Sequence, residues 1–379
     1  MPVFNKYHYE PLCAGDAVRF IVLDPAMDEG DPLSCSIIQR RYSAKIVDYS
    51  AISYTWGEQP EFSRNLEIRC DGDTSYLSIT HDVDVLLRRL WTLNVLHYIW
   101  IDAICLNQAD SIEKAQQVPL TGRVLGEAKA VHIWIGSEDP MTTKLFTFLQ
   151  EASLLPELEK AEMARQVAIL MKNISGGPDN LHGFVHFFNF SNRPWFSRRW
   201  VIQETCLARK ATVHCGSYSI PLPSLVLAAI RVQTLDISSY QIKVMANLHK
   251  PATKLTMLEL LWQFHEAQCL EPKDRITALF GLVSDGHRFH LDYTAQWTEL
   301  YKNVVSGILS LGDNETRLQV MLHLFEFGSI ALPEGTAYPS WVPDWSTSRR
   351  RDLPYHSRIR NVDTWEPYLL PLDILQGPL

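Results

Sequence analysis

The chain has 379 residues, of which 46% are apolar and 21% are charged, and its formal net charge is −8. This composition supports a sizeable folded core and excludes a largely disordered chain. Phosphate binding requires clustered Lys and Arg, so an acidic chain of this kind is not expected to bind nucleic acid.

The cysteines and the apolar runs indicate the cellular compartment and whether the chain enters a membrane. Seven cysteines are scattered along the chain, and none forms a C-x-x-C pair. A disulfide framework and a zinc finger are therefore excluded, and a reducing compartment fits best. Residues 1–20 show no signal peptide, and no run approaches the roughly 18 apolar residues of a membrane span. We expect a cytoplasmic protein without a membrane span.

The first hundred residues predict several strands and one helix. Asp71 and Gly72 form a turn signal between two strand-like runs, which predicts a hairpin. Thr80 is a suitable N-cap for a helix over His81–Leu93, whose apolar residues recur at helical spacing. Strands are predicted over Val18–Leu23, Tyr49–Trp56, Leu66–Cys70 and Ser75–Ile79.

Strands and helices then alternate. Tyr98–Cys105 is an apolar run with a single Asp, which is typical of a buried parallel strand. Ser111 can cap a helix that runs to about Ala130, although Pro119 should interrupt it. Further along, the sequence predicts a strand over Ala130–Gly136, a helix over Met141–Ile174, a helix from near Ser197, and a strand over Ala211–Cys215.

This alternation predicts an α/β fold with an open, mostly parallel sheet. A mainly helical region should follow, and the Pro-, Trp- and Arg-rich residues 338–379 should be irregular. We expect a first domain over residues 1–220, with its α/β core at about 48–216, and a second region over residues 221–379. Helices of that region are predicted over Leu222–Gln233, Ala252–Cys269, Arg275–Leu282 and Thr298–Leu311.

Four motifs in a fixed order carry the most specific signal. They are Tyr49–Gly57 (YSAISYTWG), Trp100–Gln108 (WIDAICLNQ) with Glu113 and Gln117 after it, Ala130–Gly136 (AVHIWIG), and Arg193–Glu204 (RPWFSRRWVIQE). Together they resemble the heterokaryon-incompatibility (HET) domain of fungal incompatibility proteins.

Later motifs extend this resemblance over most of residues 18–346. They are Pro272–Val283 (PKDRITALFGLV), His290–Tyr293 (HLDY) and Pro339–Ser346 (PSWVPDWS). The chain departs from the family at Pro119 and at Arg123-Val124, where HET domains usually have Met and an Ile-Tyr pair. The departure puts the local shape of the helix after Glu113 in doubt.

The resemblance also implies a chemistry. HET domains are remotely similar to TIR domains, which are flavodoxin-like α/β modules. In TIR enzymes that split NAD, a Glu lies four residues after a Trp at the point where Trp200 and Glu204 stand here. A carboxylate there can hold ribose hydroxyls and stabilise an oxocarbenium-like transition state. The resemblance thus implies Glu204 as the catalytic residue and NAD as the substrate, with no cofactor required.

Residues near strand ends are candidates for dinucleotide binding, because open α/β sheets bind ligands there. The candidates at strand ends are Ser53, Trp56, Gly57, Asp102, Asn107 and Gln108. The resemblance to TIR enzymes adds Trp200, which stands four residues before Glu204. No spacing indicates a metal site.

Each candidate has a structural alternative. Glu204 can form an ion pair with Arg198, Arg199 or Arg209. Asp102 lies in an apolar run, and a buried carboxylate needs hydrogen bonds or a cation, which favours a structural role. Asn107 and Gln108 can cap a turn, and the tryptophans are more often core residues.

The resemblance to HET domains implies a role in fungal self/non-self recognition and programmed cell death, a form of innate immunity. Two hypotheses of function follow. In the first, the protein is a TIR-like NAD glycohydrolase that kills by depleting NAD. In the second, it is a non-enzymatic module that self-associates or recruits a protein partner.

Overall fold

The computed structural model describes residues 5–24, 30–41, 48–56, 62–70, 72–92, 98–175, 181–236, 240–248, 255–328, 330 and 338–349. Within these residues ten strands form one sheet in the order β1-β6-β5-β3-β2-β7-β4-β8-β9-β10. The strands are β1 (Asn5–Lys6), β2 (Ala17–Leu23), β3 (Ser34–Arg41), β4 (Ser50–Ser53), β5 (Arg64–Cys70), β6 (Asp73–Ile79), β7 (Ile99–Trp100), β8 (Ala130–Trp134), β9 (Ala211–Cys215) and β10 (Tyr218–Pro221).

Helices cover the sheet and continue beyond it. The helices of the described residues are α1 (His81–Thr92), α2 (Asp102–Cys105), α3 (Ser111–Gln117), α4 (Thr121–Glu127), α5 (Thr142–Leu154), α6 (Lys160–Ser175), α7 (Leu181–Ser191), α8 (Trp200–Cys206), α9 (Leu222–Val232), α10 (Tyr240–Asn247), α11 (Met257–Gln263), α12 (Asp274–Thr277), α13 (Trp297–Leu311) and α14 (Asn314–Phe327).

The middle of the sheet is parallel. β4 pairs in parallel with β7 on one side and with β8 on the other, and β8 pairs in parallel with β9. Numbered along the chain, this block has the 2-1-3-4 order of flavodoxin-like folds. β10 adds an antiparallel edge, and β2 continues the sheet antiparallel to β7. The predicted α/β fold, with a mainly helical region after its sheet, is confirmed.

The prediction of one strand over Tyr98–Cys105 is wrong. Only Ile99–Trp100 forms a strand, and Asp102–Cys105 form a helical turn in which the Cys105 amide donates to the Ile101 carbonyl oxygen at 2.8 Å. Ile104 and Cys105 stay buried within this turn. A short apolar run is compatible with either a buried strand or a buried helical turn.

Two predicted helices have different bounds. The helix over Met141–Ile174 is two helices, because Leu155 precedes Pro156 and takes an extended ψ of 138° that ends α5. The helix after Trp100 is capped by Asp110, whose side chain accepts hydrogen bonds from Ile112 and Glu113 amides, and not by Ser111. Its predicted interruption at Pro119 is confirmed by a 3₁₀ turn between α3 and α4.

The described residues form two apolar cores. The first lies between the sheet and its helices and includes residues of α9 and α10, as far as Leu248. The second is built by α11 to α14 and includes Trp345. Helix α8 contributes to both, with Val201 in the first and Ile202 in the second. The domain boundary near residue 220 stays a prediction.

A buried ion pair joins β2 to α3. Arg19 donates to both Glu113 carboxylate oxygens, at 2.6 and 2.9 Å, and the two side chains are 1% and 8% exposed. Arg19 also donates to the carbonyl oxygens of Glu10 and Cys105 at 2.7 and 3.3 Å. The Asn107 amide donates to Glu113 at 2.8 Å. The pair therefore fixes the segment that follows β7.

His132 on β8 and His214 on β9 form a second buried polar pair. Nδ1 of His132 and Nε2 of His214 are 3.0 Å apart, so one donates and the other accepts. Their outer ring nitrogens are buried without a partner among the described residues. Burial lowers the pKa of His132 to about 4 and that of His214, which His132 and Arg89 lower further, to about 3. The pair is therefore neutral in the folded protein.

We expect Glu113→Ala to lower the free energy of unfolding by about 3–5 kcal/mol, because it leaves the buried Arg19 guanidinium without its carboxylate. Urea denaturation at pH 7 measures this change. Arg123 and Glu127 form an exposed ion pair on α4, with side chains 57% and 41% exposed. The control Glu127→Ala should change the unfolding free energy by less than about 0.5 kcal/mol. Equal losses in both variants would contradict the structural role of the buried pair.

The histidine pair predicts a loss of stability in acid. Well above pH 6.5 the rings are neutral in both the folded and the unfolded state and contribute nothing to the pH dependence. As the pH falls from 6.5 towards 4, the unfolded chain binds protons that the folded pair cannot, so stability falls by up to about 1.4 kcal/mol per pH unit for each ring. Burial also lowers the pKa of His323 to about 3, and that ring adds to the same slope.

Urea denaturation between pH 7 and pH 4.5 checks this prediction. The double variant His132→Gln with His214→Gln should show a shallower fall in stability than the wild type. His81→Gln, which changes an exposed histidine at the start of α1, should leave the slope unchanged. A double variant with the wild-type slope would show that the pair does not resist protonation.

Candidate functional site

The candidate site lies at the carboxyl ends of β4 and β7. After β4 the chain continues on the β7 side of the sheet, and it later returns to pair β8 with the opposite side of β4. Such a reversal of strand order leaves a crevice outside the carboxyl ends of the strands, where open α/β sheets bind ligands. The crevice therefore coincides with the end of the first motif.

A chain of hydrogen bonds ends on Glu204. Ser53, the last residue of β4, is 2% exposed, and its hydroxyl donates to the Glu204 carboxylate. Trp195 lies in a 3₁₀ turn before α8, and its Nε1 donates to Ser53 Oγ at 2.7 Å. Because an indole nitrogen can only donate, the Ser53 proton is directed to the carboxylate. This series of hydrogen bonds orients one carboxylate oxygen of Glu204.

The electrostatic setting of Glu204 is unusual for a carboxylate. The residue is 9% exposed, and burial raises its pKa. The positive charge of Arg198 and the hydrogen bond from Ser53 lower the pKa, while the nearby Asp102 carboxylate raises it further. Two carboxylates that interact in a partly closed site are typical of catalytic centres, although structural networks also contain them.

Asp102 is the second carboxylate of the site. Trp56 Nε1 donates to its Oδ2 at 3.2 Å, and the Gln108 side chain donates to its backbone carbonyl oxygen at 2.9 Å. Burial raises the pKa of Asp102, and the Arg198 charge opposes this shift. Trp56 and Gln108 therefore hold Asp102 at the strand end.

Three buried polar atoms near these carboxylates have no hydrogen-bond partner among the described residues. They are Asp102 Oδ1, Tyr54 OH and Thr55 Oγ1. Burial raises the pKa of Tyr54 well above its ordinary value, and the Asp102 charge raises it further, so the phenol stays protonated. Unsatisfied buried polar atoms cost free energy, so their presence next to the carboxylates calls for a compensating role.

Tyr54, Trp195 and Arg198 were missed as site residues in the sequence. Arg198 donates to the Tyr54 carbonyl oxygen and lowers the pKa of both carboxyl groups. It was considered only as a partner in an ion pair with Glu204. The signal for all three was their place in the first and fourth motifs: Tyr54 lies between Ser53 and Trp56, and Trp195 and Arg198 lie shortly before Trp200.

The other arginines considered as partners of Glu204 have backbone partners elsewhere. Arg199 donates to the carbonyl oxygens of Phe264 and Arg275, and Arg209 donates to that of Gly126. Among the described residues no contact within ion-pair distance joins Glu204 to an arginine. The Arg198 charge therefore acts on Glu204 from a longer distance.

The remaining candidates are placed differently. Trp200 Nε1 donates to Asp274 Oδ2 at 3.0 Å, on the side of α8 that faces the second core. The Asn107 side chain accepts a hydrogen bond from the Ala109 amide at 3.3 Å, which stabilises a turn. Gly57 lies outside the described residues. The dinucleotide-binding role of all the candidates stays a prediction.

The described residues show neither a metal cluster nor a membrane-spanning helix. The described part of the chain contains no group of three or more His, Cys, Asp or Glu side chains that could hold a metal ion. No helix among the described residues is long and apolar enough to cross a membrane.

Comparison with known proteins shows what the chain is similar to. Residues 49–204, about two fifths of the chain, match the sequence profile of the family described as Heterokaryon incompatibility protein (HET). Over 90% of its length the chain is 24% identical to "Heterokaryon incompatibility protein 6, OR allele" of Neurospora crassa. The chain spans 60% of the length of that relative. No solved structure matches the chain. The HET resemblance is confirmed for residues 49–204.

The raised pKa of Glu204 predicts a cost in stability. When a group has a higher pKa in the folded than in the unfolded state, the free energy of unfolding falls as the pH rises through the folded-state pKa. We therefore expect Glu204→Gln, which cannot ionise and still accepts the Ser53 hydrogen bond, to be more stable than the wild type at pH 7.5. This advantage should shrink towards pH 4, where the wild-type carboxyl group binds its proton.

Urea denaturation at the two pH values tests this expectation. Glu151→Gln, which changes an exposed residue of α5, should give no difference that depends on pH. A Glu204→Gln variant that is less stable than the wild type by the same amount at both pH values would contradict the expectation.

Proposed function

We propose that the protein acts in fungal heterokaryon incompatibility, the self/non-self recognition that ends in programmed cell death, and that its α/β domain hydrolyses NAD. The first part is supported by the match to the HET family and by the Neurospora crassa relative. The second part rests on Glu204, a buried carboxylate oriented by Ser53 at the switch point of the sheet.

The proposed reaction cleaves an N-glycosidic bond. The bond between ribose C1′ and the nicotinamide nitrogen breaks, and its electron pair goes to that nitrogen, so nicotinamide leaves as a neutral molecule. The Glu204 carboxylate stabilises the positive charge that develops on the ribose. Water then attacks C1′ and loses a proton, which gives ADP-ribose. Neither a metal nor a further cofactor takes part.

The surrounding side chains fit this chemistry. Asp102 Oδ1, Tyr54 OH and Thr55 Oγ1 provide one ionisable acceptor and two hydroxyl groups for the ribose hydroxyls. The Arg198 charge favours the ionised form of Glu204, which burial alone would disfavour. A carboxylate in a site shielded from water interacts more strongly with a developing cation than one in solution.

The alternative is the non-enzymatic module, in which self-association or a recruited protein partner causes death. The two functions differ in one measurable property, the release of nicotinamide from NAD. Either function is compatible with the sequence comparisons.

The test is to incubate concentrated purified protein with NAD and to measure the release of nicotinamide and ADP-ribose by chromatography. We expect release by the wild type and a loss of about 10²–10³-fold in kcat for Glu204→Gln, because one preorganised stabilising group is removed from the transition state. The wild-type rate should rise with pH through the raised pKa of Glu204, since the ionised form is the active one.

Glu151→Gln is the matched control and should retain the wild-type rate. Unreduced turnover by Glu204→Gln would contradict the assignment of this residue. No release by the wild type, at high concentration and with a crowding agent, would overturn the enzymatic proposal and favour the interaction module.

A further inference from the structure

Helix α8 lies between the two cores. Glu204 points from this helix towards Ser53 of the sheet, whereas Ile202 is part of the second core and Leu207 packs against it. The helix has only seven residues, and a helix this short depends on tertiary contacts for its stability. Contacts with the sheet and with the second core therefore both determine the position of α8.

The backbone before α8 is joined to the segment that follows α11. The Arg199 amide donates to the Gln268 carbonyl oxygen, and the Gln268 amide donates to the Ser197 carbonyl oxygen, each at 2.7 Å. The Arg199 side chain is 1% exposed and donates to the Phe264 carbonyl oxygen at 2.7 Å, at the end of α11. These bonds hold the start of the helix.

The side chain of Gln203 holds the middle of α8. Its Oε1 accepts a hydrogen bond from the Gly281 amide at 3.0 Å. A Cβ atom at Gly122 would lie 2.8 Å from Gln203 Nε2, and one at Gly281 would lie 2.9 Å from Gln203 Oε1. Glycine at both positions therefore lets α4 and the 280–282 turn approach the residue next to Glu204.

Trp200 links the first turn of α8 to the second core. Its Nε1 donates to Asp274 Oδ2 at 3.0 Å, and Asp274 Oδ1 accepts from Tyr293 OH at 3.2 Å. Trp200 stands four residues before Glu204, one helical turn away. A rotation or shift of this turn would move the Glu204 carboxylate relative to Ser53.

We infer that the helical region of the second core positions Glu204 through α8, with the Trp200–Asp274 hydrogen bond as the positioning contact. This inference rests on the proposed function for its effect on turnover, but the contact itself can be tested without turnover. Trp200 is accordingly assigned as a positioning residue, which acts on the site through Glu204. Contacts made in the second core thereby act on the chemistry at the sheet.

The test compares Trp200→Phe with Tyr293→Phe. Each variant removes one hydrogen bond to the same Asp274 carboxylate and keeps an aromatic ring. Only Trp200→Phe removes the hydrogen bond between Asp274 and α8. We expect amide hydrogen exchange in residues 201–206 to be about 3- to 10-fold faster in Trp200→Phe, the range set by the loss of one hydrogen bond. Exchange in β8 should stay at the wild-type rate, which separates a local effect from global unfolding.

Turnover of NAD provides the second readout. Trp200→Phe should lower kcat with little change in KM, and Tyr293→Phe should match the wild type in both. If the wild type does not cleave NAD, the proposed function fails, while the exchange rates of α8 still decide the positioning contact. Wild-type exchange over 201–206 in Trp200→Phe, or equal acceleration by Tyr293→Phe, would overturn the inference.

Discussion

The buried ion pair of Arg19 and Glu113 is the contact on which the shape of the site depends. It joins a strand near the beginning of the chain to a helix 94 residues later. Both partners also hold the backbone after β7, through Cys105 and Asn107. A buried charge needs a fully hydrogen-bonded partner, so the arrangement tolerates little variation. The segment that carries Asp102 is held in place as a result.

The described residues of the site include buried carboxylates and unpaired buried polar atoms, which lower the stability of the folded state. Burial raises the pKa of both Glu204 and Asp102, and the Asp102 charge raises the pKa of Glu204 further. Three polar atoms beside them have no partner among the described residues. Natural proteins retain such costs where function requires them, and stability is then supplied elsewhere. Here the two apolar cores on either side of α8 supply it.

Much of the fold could be predicted from the sequence, because burial patterns are local. The strand over Ala211–Cys215 has the predicted bounds. β3 was missed because Ser34–Arg41 contains a short apolar pair and ends in charged residues, and α14 was missed because its apolar residues surround the helix without a clear stripe. The site was predicted in part. Ser53 and Glu204 were chosen from motifs, but their contact joins positions 151 residues apart, and the roles of Trp195 and Arg198 depend on that contact.

The hydrogen-bond chain from Trp195 through Ser53 to Glu204 has a fixed polarity. The indole can only give a hydrogen, and the serine has one hydrogen to pass on. While Glu204 is ionised, that hydrogen is committed to the carboxylate. Once Glu204 takes up a proton, its own O–H can donate to the remaining lone pair of Ser53 Oγ, and the serine hydrogen is no longer committed to the carboxyl group. The protonation state of one buried acid is thereby relayed to the end of the central strand as the direction of a single O–H bond.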